Sequence, residues 1–344
     1  MNTLSGMEFP STHAPRPSMA PVLTLLFIAP FIGEVLSGAT RVSYIFVFIP
    51  EIMVWGCGTL LIREAVRRWH GGWASMLPLA LALSVAEEFI IQQTSLAPLP
   101  WLGSGPMYGR VWGVNWIYFL FMLGYESVWI VLVPIQVAEL IFPGRRKEPW
   151  LRLRGLMISG LVFILGSAAA WFLWVKRART VVFHVPEYSP PMITLLLGTL
   201  AIALLILAGY LLRSTGNCGA DGSGAPSPWL VGLAALALGF PWFLLMGLVF
   251  VPRMSVPLWQ PVIVALAWAT IAILQVQKWI RRPEFRDVHR WAMAFGAIIV
   301  CSVAGFAGCN LWPRIDVFGK AILNGIAIAL MALLLRQVRR RTVA

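Results

Sequence analysis

Two adjacent carboxylates, Glu87 and Glu88, stand with Ser84 and Gln92 inside the apolar run 77–96. The run is long enough to cross a bilayer, where ionisable side chains are costly and mark function by default. On a helix Ser84, Glu88 and Gln92 recur every fourth residue, so they draw one polar stripe along an apolar surface. Glu34, Glu51 and Glu126 also lie within apolar runs. Carboxylates in such surroundings exchange protons, bind cations, or serve as general base or acid on a substrate dissolved in the lipid phase.

The elements that carry these groups follow from composition. Of 344 residues, 59% are hydrophobic and only 12% charged, and the mean hydropathy is +0.79. A soluble domain carries about a quarter charged residues, so this is the composition of an all-α, polytopic membrane bundle. Apolar runs bounded by charges or Gly/Pro clusters predict about ten spans, near 19–38, 44–63, 75–96, 112–142, 154–175, 192–212, 229–251, 258–279, 291–311 and 318–336. Most of the 27 Lys and Arg residues fall on the side of the N-terminus, which predicts both termini in the cytoplasm and insertion in the cell membrane. Lys176, Arg177 and Arg179 go against that bias. The net charge of +13 sits at span ends, where it meets anionic lipid, and no basic folded module exists to bind nucleic acid.

Counting along the predicted spans gives depth. Glu34, Glu51, Glu87 and Glu88 all lie roughly 6–12 Å below the outer boundary at the rise of a helix. Glu126 lies deeper, and Asn115, placed 11 residues before it, shares its helical face at a rotation of about 20°. Pro30 precedes Glu34 by one turn and Pro50 directly precedes Glu51, so each breaks a helix beside a carboxylate. Acids this close cannot all be ionised without a cation or shared protons. Glu64 and Glu139 belong to the other boundary, where Glu64 pairs with Arg68 and Glu139 precedes Arg145 and Arg146, as interfacial ion pairs do.

The chain therefore divides into a polar tail (1–18), a glutamate-rich four-helix module (19–145) and a six-helix apolar module (150–344) with a flexible linker at 214–228. The later module has no carboxylate inside its predicted spans and reads as scaffold. Its hairpins turn at basic outer corners, Val175-Lys176-Arg177, Val251-Pro252-Arg253 and Trp312-Pro313-Arg314. Tryptophans such as Trp69, Trp101, Trp116, Trp150 and Trp312 sit near span ends and read as an interfacial belt. Cys57, Cys218, Cys301 and Cys309 show no metal-ligand or disulfide spacing, and no nucleotide motif is present, so neither a metal nor a cofactor is expected.

Glu87-Glu88-Phe89-Ile90-Ile91-Gln92 resembles the EExxxR box of the CAAX-protease and bacteriocin-processing (Abi) intramembrane protease family, with Gln92 where that family has arginine. The resemblance implies a glutamate that activates water, completed by histidines in FxxxH and HxxxN/D motifs. Phe9…His13 and Phe285…His289 fit FxxxH by letter. The first 145 residues also look like an uncharacterised bacterial polytopic membrane protein, through Leu61-Ile62-Arg63-Glu64, Ala86-Glu87-Glu88 and Gly113-Val114-Asn115-Trp116. Three functions fit: a carrier of protons, cations or a cationic amphiphile, binding at Glu34, Glu51, Glu87, Glu88, Gln92, Asn115 and Glu126; a membrane enzyme using Glu87 or Glu88 on a peptide bond or polyprenyl chain; or a non-catalytic assembly or immunity-type protein with carboxylates as packing groups.

Overall fold

The computed structural model describes residues 18–100, 108–217, 224–251 and 255–343. The tail 1–17, with His13, and the centre of the linker at 218–223 lie outside the described residues. Among the described residues the chain is almost wholly helical, and its helices form a polytopic bundle. The first apolar helix, α1, is Ala20–Val35, shorter than a full span. Nine more are long and apolar enough to cross a membrane: α2 (Val42–Arg68), α3 (Trp73–Ile91), α4 (Trp116–Ile141), α5 (Leu153–Val182), α6 (Met192–Ser214), α7 (Pro228–Val249), α8 (Trp259–Ile280), α9 (Asp287–Ala304) and α10 (Arg314–Val343). A two-residue antiparallel pair, β1 (Arg110–Val111) and β2 (Val114–Asn115), leads into α4.

The helices carrying the glutamates form the centre. Within their most apolar windows α3 and α4 are 67% buried, against 6% for α8, whose surface is left for lipid. Around α4 stand α1, α3, α7 and α9. Gly124 lets α7 approach α4, since a Cβ there would lie 2.4 Å from the Trp242 ring. Indole N–H groups then bond backbone carbonyls across the helix seams. Trp129 donates to Ala297 O at 2.6 Å, Trp242 to Phe121 O at 2.9 Å and Trp291 to Met331 O at 2.8 Å. Several tryptophans thus act as buried seam donors, while Trp112 is exposed and Trp101 lies outside the described residues.

Two expectations are corrected here. The corner at Val175-Lys176-Arg177 is no corner, because α5 continues to Val182. Arg179 is turned into the protein, where it donates to Pro98 O at 2.9 Å and Pro186 O at 3.3 Å, and Lys176 pairs with Glu187 at 2.5 Å. Those basic residues are engaged by protein groups, which accounts for their departure from the charge bias. The second correction is to the idea that the later helices bury no carboxylate. The last helix starts at Arg314, ahead of the predicted span at 318, and buries Asp316, Lys320 and Asn324 at successive turns. Asp316 accepts from the Ser43 N–H and hydroxyl, both at 2.9 Å, and Lys320 donates to Leu36 O. The turn joining α1 and α2 is therefore held by α10.

Candidate functional site

Each of the first four helices departs from α geometry where it carries its carboxylate. Glu34 lies in the segment Phe31–Val35, and Glu51 directly precedes Ile52–Gly56. Glu87 and Glu88 open Glu87–Ile91, and Glu126 opens Glu126–Leu132. In these π segments a backbone N–H reaches the carbonyl five residues back, as Leu36 reaches Phe31 O at 3.0 Å and Gln92 reaches Glu87 O at 2.9 Å. The wider turn displaces side chains from the ordinary helical face, and such segments recur at functional sites. Pro30 and Pro50 contribute in α1 and α2 by removing an N–H from the helical ladder. In α3 and α4 no proline stands beside the acids, and the Ser84 hydroxyl bridges the two helices at that level, donating to Met122 O at 3.2 Å.

The five carboxylates form one electrostatic neighbourhood. Glu34 lies within charge range of Glu51 and Glu88, and Glu126 within range of Glu87, Glu88 and Glu34. Glu87, Glu88 and Glu126 are each 1% exposed, while Glu34 and Glu51 are half-buried. Among the described residues none of the five takes part in an ion pair. Nor are three acid, histidine or cysteine side chains disposed there to hold a metal ion.

Their hydrogen bonding is unequal. Glu88 Oε2 accepts from the Thr94 hydroxyl at 2.7 Å and the Ser95 hydroxyl at 2.6 Å. Glu87 Oε2 accepts from the Gln92 backbone N–H at 3.2 Å, and Glu51 from the Thr40 hydroxyl. The remaining oxygens Glu51 Oε2, Glu87 Oε1 and both of Glu126 are buried without a hydrogen-bond partner among the described residues. Buried polar atoms are normally satisfied, so a cluster of orphaned carboxyl oxygens calls for a proton, a water or a ligand. Gln92 is half-buried and enters through its backbone as well as its side chain. Asn115 stands in β2, before α4 begins, and its side chain turns to the loop 94–97 instead of the face of Glu126.

At the opposite end of the same helices lies a second buried network. Arg63, fully buried, donates to Glu139 at 3.2 Å and to Glu64 at 3.3 Å, and its remaining N–H groups reach the carbonyls of Arg145, Arg146 and Glu148. The Trp150 ring stacks on its guanidinium at 3.3 Å. Arg67 adds a 2.6 Å bond to Glu139, and Arg68 pairs with Glu64 at 3.4 Å. Glu139 thus pairs with α2 and not, through its carboxylate, with the Arg145-Arg146 corner. Nothing in the sequence separates Arg63 from the other arginines at span ends; only the fold reveals it as buried. Arg110, Asp316 and Lys320 were likewise unmarked, and Arg179 stood out only as a departure from the charge bias.

His289 accepts the Arg286 backbone N–H at 3.1 Å at the start of α9, and His70 and His184 occupy exposed turns. Among the described residues no histidine pairs with the carboxylates. Fold and site together define a multi-pass membrane protein with a set of buried and half-buried acids between its first four helices that form no ion pair among the described residues. No protein-family model matches the chain, and no curated protein or solved structure shows significant similarity to it.

Proposed function

We propose that this protein is a carrier of the cell membrane that exchanges protons for a cation, most fittingly an amphiphilic organic cation, at Glu34, Glu51, Glu87, Glu88 and Glu126. One observation carries the reading: acids from four helices meet, among the described residues, with no basic partner and with orphaned oxygens. A set of this kind is completed by exchangeable protons or by a bound cation. Helices interrupted at the acids suit alternating exposure of a site within the bilayer. The basic bias of the loops supports a cytoplasmic Arg63 end, which predicts that cysteines at Lys147 and Ser189 react from opposite faces.

The test uses the full chain in liposomes, with uptake of ethidium driven by an imposed pH gradient. Uptake above that of empty liposomes, abolished in Glu126→Gln at unchanged thermal stability, supports the carrier. Uptake equal to that of empty liposomes overturns it.

A second reading rests on Glu87. One of its oxygens is oriented by the Gln92 N–H and the other is unpartnered beside Glu88, the disposition of a general base. That reading agrees with the resemblance to the intramembrane proteases. It predicts hydrolysis of a membrane peptide that is lost in Glu87→Gln without any pH-driven uptake. Purely structural carboxylates would leave both assays silent.

A further inference from the structure

The turn at 94–98, which supplies both hydroxyls to Glu88, is itself held in an unusual way. Every backbone carbonyl in it is bonded from outside the turn. Asn115 donates its side-chain amide to Thr94 O at 3.1 Å and to Ala97 O at 2.7 Å, and its backbone N–H to Ser95 O at 2.7 Å. Arg110 donates to Leu96 O at 2.8 Å, and Arg179, from α5, to Pro98 O at 2.9 Å. Arg110 also fixes the Asn115 carbonyl at 2.6 Å, so the amide can face only one way. Asn115 is 2% exposed and Arg179 5%. Burying a guanidinium to satisfy neutral carbonyls is an expensive way to close a loop. It repays that cost where the loop must hold something else in register.

We infer that Arg110, Asn115 and Arg179 are positioning residues for Glu88: with the carbonyls of 94–98 drawn towards them, the Thr94 and Ser95 hydroxyls are fixed on one carboxylate oxygen. Glu88 is thereby the oriented member of the acid set, held by two hydroxyls through Oε2. Glu87 and Glu126, whose buried oxygens Glu87 Oε1 and Glu126 Oε1 and Oε2 accept no donor among the described residues, are the members that take up and release the cargo. The division of labour rests on the acids being a working site, as proposed above, but the positioning itself does not depend on what is carried.

Labelling by dicyclohexylcarbodiimide, read by mass spectrometry on the full chain in detergent, separates the two. This apolar reagent reacts with the protonated carboxyl, and the Thr94 and Ser95 hydroxyls, both donating to Glu88 Oε2, favour the carboxylate form that does not react. In the wild type, Glu126 and Glu87 should be modified and Glu88 spared. Arg179→Met and Arg110→Met should each raise Glu88 modification about tenfold, the equivalent of losing a charge-assisted hydrogen bond. Arg179→Lys and Arg110→Lys, which return a donor, should restore the sparing. Thr94→Val with Ser95→Ala should expose Glu88 with both arginines in place, and unchanged Glu88 labelling in that variant overturns the inference whether or not the methionine variants fold. Glu88 reacting as fast as Glu126 in the wild type overturns the inference. So does unchanged Glu88 labelling in folded methionine variants when the hydroxyl double variant exposes it. The expected labelling without ethidium uptake would retire the carrier and keep the positioning; uptake without it would do the reverse.

Discussion

The glutamates of the first four helices divide between two ends of the bundle. At one end Glu64 and Glu139 are buried with Arg63, Arg67 and Arg68, and the central guanidinium has its donors engaged by carboxylates and backbone carbonyls. At the other, Glu34, Glu51, Glu87, Glu88 and Glu126 share a neighbourhood and, among the described residues, pair with no basic side chain. The residue type is the same, α2 and α4 serve both ends, and Glu87, Glu88 and Glu126 are as buried as Glu64 and Glu139. What differs is whether the charge account closes within the protein. A closed network ties α2, α4 and the 143–151 corner into one unit; an open one is poised to receive something. Burial of an acid alone therefore says little about its purpose, and the identity of its partners says most of it.

The sharpest test of that contrast is Arg63→Met. It removes the central, fully buried partner that Glu64 and Glu139 share and should cost about 3–5 kcal/mol of stability, read as thermal unfolding in detergent. A variant as stable as the wild type would erase the distinction between the two ends. Next comes the mirror experiment, Glu87→Gln with Glu88→Gln. Glutamine keeps the shape and an acceptor, so stability should move by less than about 1 kcal/mol. Proton-driven uptake should meanwhile fall by roughly a hundredfold or more, as when a proton-transferring group is lost. A large loss of stability instead would make these acids structural like their counterparts. The smallest effect is expected from Asp316→Asn, which weakens the hold of α10 on Ser43 by about 1–2 kcal/mol. It should loosen the α1–α2 turn, seen as faster hydrogen exchange at residues 41–44, without touching the Arg63 end.

How legible all this was depends on the dimension involved. Depth runs along one axis, and counting 1.5 Å per residue from the span ends assigns Glu34, Glu51, Glu87 and Glu88 one level, and the fold brings them within charge range of one another. Spans themselves follow from run length, since a bilayer demands about twenty apolar residues. Contacts across the bundle are another matter. Arg63 reads like any arginine beside a membrane boundary until the 143–151 corner folds over it. Asn115 shares a helical face with Glu126 only if the helix reaches it, and β2 intervenes. Asp316 was lost to a boundary set four residues too late, an error within the ordinary uncertainty of boundaries read from sequence.

The π segments have one more consequence, visible when α2 and α4 are followed from end to end. Each of these helices carries a member of both clusters, Glu51 and Arg63 on α2, Glu126 and Glu139 on α4, and in each a π segment lies between the pair or begins at its first member. A π turn holds one surplus residue, and one residue is worth about 100° of azimuth. The relative heading of the two clusters is thus written in chain length rather than in any side chain. Deleting a single residue from Ile52–Gly56 or Glu126–Leu132 would leave one cluster facing inward and swing its counterpart towards lipid, with every functional residue still present in the sequence.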